Sequence, residues 1–141
     1  MKKVLDYIKR TLFLIWELPQ NILGALLYAV CFFASFFCVE AKQNDIDVYS
    51  DIIWGNVSLG CFHFFKYKFF HNNATYVRAL YAHSYGHRKQ SRMLGPLYLP
   101  VIFIPSLVWD FLHSHVRELW TKDYYSFYTE KWADRLAGVK R

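Results

Sequence analysis

Residues 22–39 read ILGALLYAVCFFASFFCV, a run without a single charge. A helix rises ~1.5 Å per residue, so this run extends ~27 Å against a hydrocarbon core ~30 Å thick. With the preceding Asn21 it gives a predicted transmembrane segment over 21–39. A cleaved signal peptide is the competing reading, but the run exceeds a usual h-region and lacks a small-residue cleavage site. Cys31 and Cys38 lie inside it, where a thiol packs as a small hydrophobe, so neither is a good metal ligand. Three cysteines without close pairs argue against a disulfide framework.

On the N-terminal side, KKVLDYIKRTLFLIW repeats Val4, Leu5, Ile8, Leu12 and Ile15 at helical spacing, opposite Asp6, Lys9 and Arg10. The pattern predicts an interfacial amphipathic helix over 2–17, with Trp16 at headgroup level. Pro19 then resets the chain.

On the C-terminal side, residues 40–50 are polar and read as a surface connection. The stretch 47–70 is dense in aromatic residues and broken by Gly55 and Gly60. It predicts a short β element of one or two strands. Asn73 is a candidate cap for a helix over 74–92, which Gly95 and Pro96 end. Residues 95–112 are apolar apart from Asp110 and contain Pro100 and Pro105, which predicts a second membrane segment over 95–113, spanning or re-entrant. A last helix is expected over 123–138, with Asp123 as cap and Gly138 as terminator. The expected fold is therefore a single, mainly α membrane domain. It has an interfacial N-terminal helix, one or two transmembrane segments, a short β element and a pair of helices that carry the chemistry.

Bulk composition agrees. The 141 residues are 55% hydrophobic and 21% aromatic, more apolar surface than one small core hides. Lys and Arg outnumber Asp and Glu by 17 to 11. These cations flank the apolar segments, which favours membrane lipids as partners over nucleic acid. They are spread almost evenly around both segments, so orientation stays open, and no signal sets an oligomeric state.

His83 and His87 stand four apart on the predicted helix, so both imidazoles share a face and can chelate one cation. Zinc accepts such a pair when a third protein ligand and a water complete the site. In H-E-x-x-H the Glu after the first His deprotonates that water, but here the string is His83-Ser84-Tyr85-Gly86-His87. Glu130 and Asp134, in TEKWAD, share a face of the last helix.

A Glu-x-x-x-Asp pair after H-E-x-x-H is similar to the gluzincin metallopeptidases. That resemblance makes Glu130 the third zinc ligand and Asp134 the acceptor that fixes the tautomer of a ligating His. More widely, HSYGHRKQSRMLGPLYLPVIFIPS followed by YTEKWADRLAG resembles a group of small bacterial membrane proteins. Their pattern is H-E-Y-G-H-x-x-Q-S-x-x-L-G-x-L-Y-L, a Pro-Ser, then T-E-x-W-A-D-x-L-G-G. Gln90, Ser91, Leu94, Gly95, Tyr98, Leu99, Pro105 and Ser106 match by position, and Ala137 departs. The resemblance implies a metallopeptidase-like protein of the bacterial cytoplasmic membrane, acting on a peptide or membrane-protein substrate. Ser84 departs where the base belongs, which costs ~10²–10⁴-fold in such chemistry. It reads either as native to a protein that keeps the metal site without the base, or as a replacement of that base. A non-catalytic membrane interaction protein using the same pocket is the alternative.

Other residues have plainer readings. Val57, Ser58, Leu59 and Gly60 offer a possible edge strand for an extended substrate. His63 reads as a strand residue facing headgroups, and His113 and His115 as interfacial. Arg88, Lys89 and Arg92 read as a solvated basic edge, and Tyr124, Tyr125, Phe127 and Tyr128 as an aromatic belt. Tyr85 is a weak oxyanion candidate, and Gly86 would let another backbone approach closely.

Overall fold

A computed structural model describes residues 2–34, 37–41, 45–53, 55–66 and 74–140. Five α-helices and a small sheet make up the described chain. Helix α1 spans Lys2–Trp16 and α2 spans Leu18–Ala34. Strands β1 (Phe37–Ala41), β2 (Ile46–Ser50), β3 (Val57–Leu59) and β4 (Phe62–Lys66) follow. Then come α3 (Ala74–Leu94), α4 (Ile104–His115) and α5 (Tyr128–Ala137), with short 3₁₀ and π turns between them.

Helix α1 leaves its apolar stripe uncovered: Val4, Leu5, Ile8, Leu12 and Ile15 are all exposed. It meets α2 at Glu17, where the two axes bend by 81°. Pro19 sits in the first turn of α2, where a missing N–H costs no helical hydrogen bond. Among the described residues no single helix is long and apolar enough to cross a membrane, and α1 and α2 meet that test only together. The apolar run does not remain helical to residue 39, because α2 ends at Ala34 and Phe37–Val39 enter β1. The polar connection expected over 40–50 is likewise mostly strand: β1 and β2 pair antiparallel from Phe37↔Ser50 to Ala41↔Ile46.

The sheet order is β1-β2-β4-β3, with β2 parallel to β4 and β3 closing a hairpin onto β4. One face carries Val48 and Phe64, which pack with Ile53 and with Cys31 of α2. The other face turns to α3: the Phe65 ring lies 4.7 Å from that of Tyr81, and His63 stacks on Tyr85. His63 therefore does not face headgroups. It is only 2% exposed, and its Nδ1 lies 3.1 Å from Ser58 Oγ.

The opposite side of α3 receives α5. A Cβ added at Gly86 would stand 2.1 Å from the carbonyl oxygen of Ala133, so glycine is what lets the two helices touch there. Helix α5 ends at Gly138, with φ 71°, whose N–H reaches the Arg135 carbonyl while Val139 N–H reaches that of Asp134. Asp123 does cap, but it caps the 3₁₀ turn Tyr124–Ser126 and not α5. Asn73 lies outside the described residues.

Arg88 is not a solvated cation. It is 3% exposed and donates to both oxygens of Glu17 at 2.5 Å and to Asp45 at 2.7 Å. Ser91 adds a 2.6 Å bond to Glu17, and Gln20 of α2 donates to Ser91 and to the Gly95 carbonyl. This cluster fastens the α1–α2 corner to α3. Lys89 donates to the Leu136 carbonyl, and the partly exposed Arg92 lies 3.8 Å from Asp45. Trp16 is half exposed and donates to the Arg92 carbonyl.

Candidate metal centre

The centre forms where α3 and α5 touch. The four-residue spacing of His83 and His87 turns both imidazoles toward α5, and that of Glu130 and Asp134 turns both carboxylates back. His83 Nε2 lies 3.1 Å from His87 Nε2, and Glu130 Oε2 lies 3.0 Å from the first and 3.4 Å from the second. A tetrahedral ion with bonds of ~2.0–2.1 Å separates its ligand atoms by ~3.3 Å. These three atoms already stand at that spacing, and the group could hold a metal ion.

Hydrogen bonds behind the imidazoles fix which nitrogen carries hydrogen. His83 Nδ1 donates to Asp134 Oδ1 at 2.7 Å. Gln90 Nε2 donates to the Thr129 carbonyl at 2.9 Å, which orients its amide so that Oε1 accepts from His87 Nδ1 at 2.8 Å. With both Nδ1 atoms protonated, both Nε2 atoms present lone pairs to the same point. The carboxylate is held too: Ser106 and Thr129 hydroxyls donate to Glu130 Oε1 at 2.7 and 3.0 Å, leaving Oε2 directed at the imidazoles.

Two lone pairs and a carboxylate oxygen at this spacing repel unless a cation sits among them. Burial alone would raise the Glu130 carboxyl, but its hydrogen bonds and charge interactions with His83 and His87 outweigh that and hold it below the usual carboxylate range. Glu130 is therefore the anionic member of the cluster: without a metal, a hydrogen on an imidazole Nε2 meets its Oε2, and a bound metal ion would take that hydrogen's place.

In front of the ligands lies a cavity of about 480 Å³. Apolar side chains such as Leu80, Phe103 and Leu107 form much of its wall, together with Tyr124 and Tyr125. These two tyrosines thus line the cavity instead of an aromatic belt; Tyr128 is half exposed and donates to the Val101 carbonyl. Ser84 is buried in the wall beside His83. Tyr85 is half exposed and turned to His63. Of the edge-strand candidates, Val57 and Ser58 line the cavity, and the Ser58 carbonyl accepts from Tyr98 Oη at 2.9 Å. Leu59 is buried with its carbonyl against Gly24 of α2, and Gly60 turns the hairpin against Asn21. His113 and His115 make local bonds, to the Lys122 and Phe111 carbonyls.

Three supporting residues were not legible as such. Gln90 has a local signal, since i+3 from His87 puts it within reach on the same helix. Ser106 has none, because its contact with Glu130 joins two elements 24 residues apart. Thr129 adjoins its partner, but nothing in the string announces its hydroxyl. No family model, curated protein or solved structure matches this chain.

Proposed function

We propose that this chain is a membrane-associated, zinc-dependent metallopeptidase-type protein that binds one zinc ion through His83, His87 and Glu130. One observation carries the reading: three ligand atoms stand 3.0–3.4 Å apart with their lone pairs convergent, backed by tautomer-fixing acceptors, and open to a cavity. Three protein ligands and an open fourth position are the donor set of catalytic zinc sites, whereas structural sites are closed by four. Two imidazoles and a carboxylate suit zinc better than calcium or magnesium, which prefer all-oxygen shells.

A metal there would acidify a bound water and polarise a substrate carbonyl. The residues of the chain do the rest. Asp134 and Gln90 hold the imidazoles, Ser106 and Thr129 aim the carboxylate, and the apolar cavity excludes water around an extended peptide segment. Ser84 contributes no base.

The membrane part of the proposal rests on the uncovered apolar residues of α1, α2 and α4, including Ile8, Leu12, Leu26, Phe33, Ile104 and Phe111. In a bacterial cytoplasmic membrane α1 lies in the interface while α2 and the 95–113 segment enter the bilayer. Retention in the membrane pellet after alkaline carbonate extraction checks this, and full release refutes it.

Metal analysis of the purified chain at neutral pH tests the centre. One zinc per chain is expected, lost in His83→Ala. Zinc absent from both proteins sinks the reading. The burial of Ser84 in the wall favours a second reading, a non-catalytic protein whose cavity holds a membrane partner. Proteolysis of a casein probe by a zinc-loaded form, wild type or Ser84→Glu, supports the metallopeptidase reading, and silence in both supports the interaction protein.

A further inference from the structure

Apart from Glu130, Asp110 is the only carboxylate among the described residues that line the cavity. It lies on α4 four residues after Ser106, whose hydroxyl donates to Glu130. That spacing places Asp110 on the same helix face, ~6 Å further along the axis from a residue that touches the centre. Its Oδ2 lies 3.8 Å from where a Cβ of Gly55 would be, so the carboxylate reaches from α4 to the loop before β3. No residue among those described hydrogen-bonds to it. A carboxylate in an otherwise apolar segment is costly to keep unless it serves the site.

We propose that Asp110 is the general base that position 84 lacks, which rests on the metallopeptidase reading above. The chemistry calls for a carboxylate within hydrogen-bond reach of the attacking water, directly or through one further water. The water proton passes to an Asp110 Oδ, and the hydroxide adds to the peptide carbonyl carbon. The C–N bond then breaks, and Asp110 returns the proton to the departing amine nitrogen. One water is consumed, and an acid and an amine are released. The base is thus moved from the helix that carries the histidines to the helix facing it across the cavity.

Acetohydroxamic acid tests this without a known substrate, because a metal-bound hydroxamate donates its hydroxyl proton to the base. Zinc content and hydroxamate affinity are measured, by metal analysis and calorimetry, on the full chain in detergent and on its Asp110→Asn, Asp110→Glu and Ser84→Glu/Asp110→Asn forms. Asp110→Asn is expected to keep its zinc and bind the probe about tenfold more weakly, the loss of one charge-assisted hydrogen bond. Asp110→Glu and the double variant are expected to recover the affinity. Unchanged affinity in zinc-loaded Asp110→Asn overturns the proposal, as does a zinc-loaded wild type that ignores the probe. Loss of zinc in Asp110→Asn overturns it too, by making Asp110 a structural support. A wild type without zinc defeats the metallopeptidase reading itself, and is seen before any variant is compared.

Discussion

Helix α3 carries two buried polar clusters on adjacent positions, and they are built on opposite principles. Around Arg88 the charges close on themselves: Glu17 and Asp45 face Arg88, with Arg92 at the edge. Around His83 and His87 they do not. Two imidazoles turn lone pairs toward a carboxylate, and the hydrogen bonds behind them maintain that arrangement. A cluster that contains its own counter-charge fastens elements together. A cluster that leaves a convergent deficit of positive charge could hold a metal ion. The difference separates a cluster that satisfies its own charges from one that could hold a metal ion.

The largest effect is expected in the closed cluster. Arg88→Ala leaves Glu17 and Asp45 buried without their partner, which costs about 3–5 kcal/mol. Denaturant unfolding of the detergent-solubilised chain measures it; a loss below 1 kcal/mol would mean that water reaches the pair. Zinc affinity of the fraction that stays folded is expected to be unchanged, which keeps the two clusters separate.

Gly86→Ala strikes the contact on which the open cluster depends. The added methyl meets backbone at Ala133, not a movable side-chain tip, so α5 must shift at a cost of about 1–3 kcal/mol. Zinc affinity should fall together with stability, because Glu130 and Asp134 move with α5. A stable variant with full affinity would show that the helices do not need the close approach.

Asp134→Ala and Gln90→Ala remove the acceptors behind the imidazoles. Each is expected to weaken zinc binding about 10–100-fold with a small effect on the unfolding of the metal-free chain. Competition with a chromophoric chelator gives the number.

The smallest expected effect is in pH dependence. The Glu130 carboxyl is held below its unfolded range, so its contribution is fully present above an unfolded pKa of ~4.3 and is lost as pH falls through the folded value. Metal-free wild type should lose melting temperature on acidification below pH ~4, and Glu130→Gln should flatten that limb. Parallel curves for the two proteins would place the acid sensitivity elsewhere.

These two clusters also mark how far the string of residues reached. The His83–His87 and Glu130–Asp134 pairs were readable because a helix converts a spacing of four into a shared face. The close approach at Gly86 and the stop at Gly138 were readable because a missing Cβ has few structural uses. The burial of Arg88 was not readable, since its partners Glu17 and Asp45 come from other elements. The true end of α2 was hidden for a related reason. Phe37–Val39 are as apolar as the helix before them, and only pairing with β2 makes them a strand.

By itself the sequence determined the local faces: which side chains project together, where the helices begin to carry chemistry, and that position 84 offers a hydroxyl where a base is expected. Only the tertiary structure decided which faces meet. It brought α5 onto α3 to gather His83, His87 and Glu130, set Ser106 behind Glu130, and placed Asp110 in the wall of the same cavity. Those choices depend on contacts between residues far apart in the chain, whose strength comes from burial and mutual geometry that no spacing along a single helix encodes.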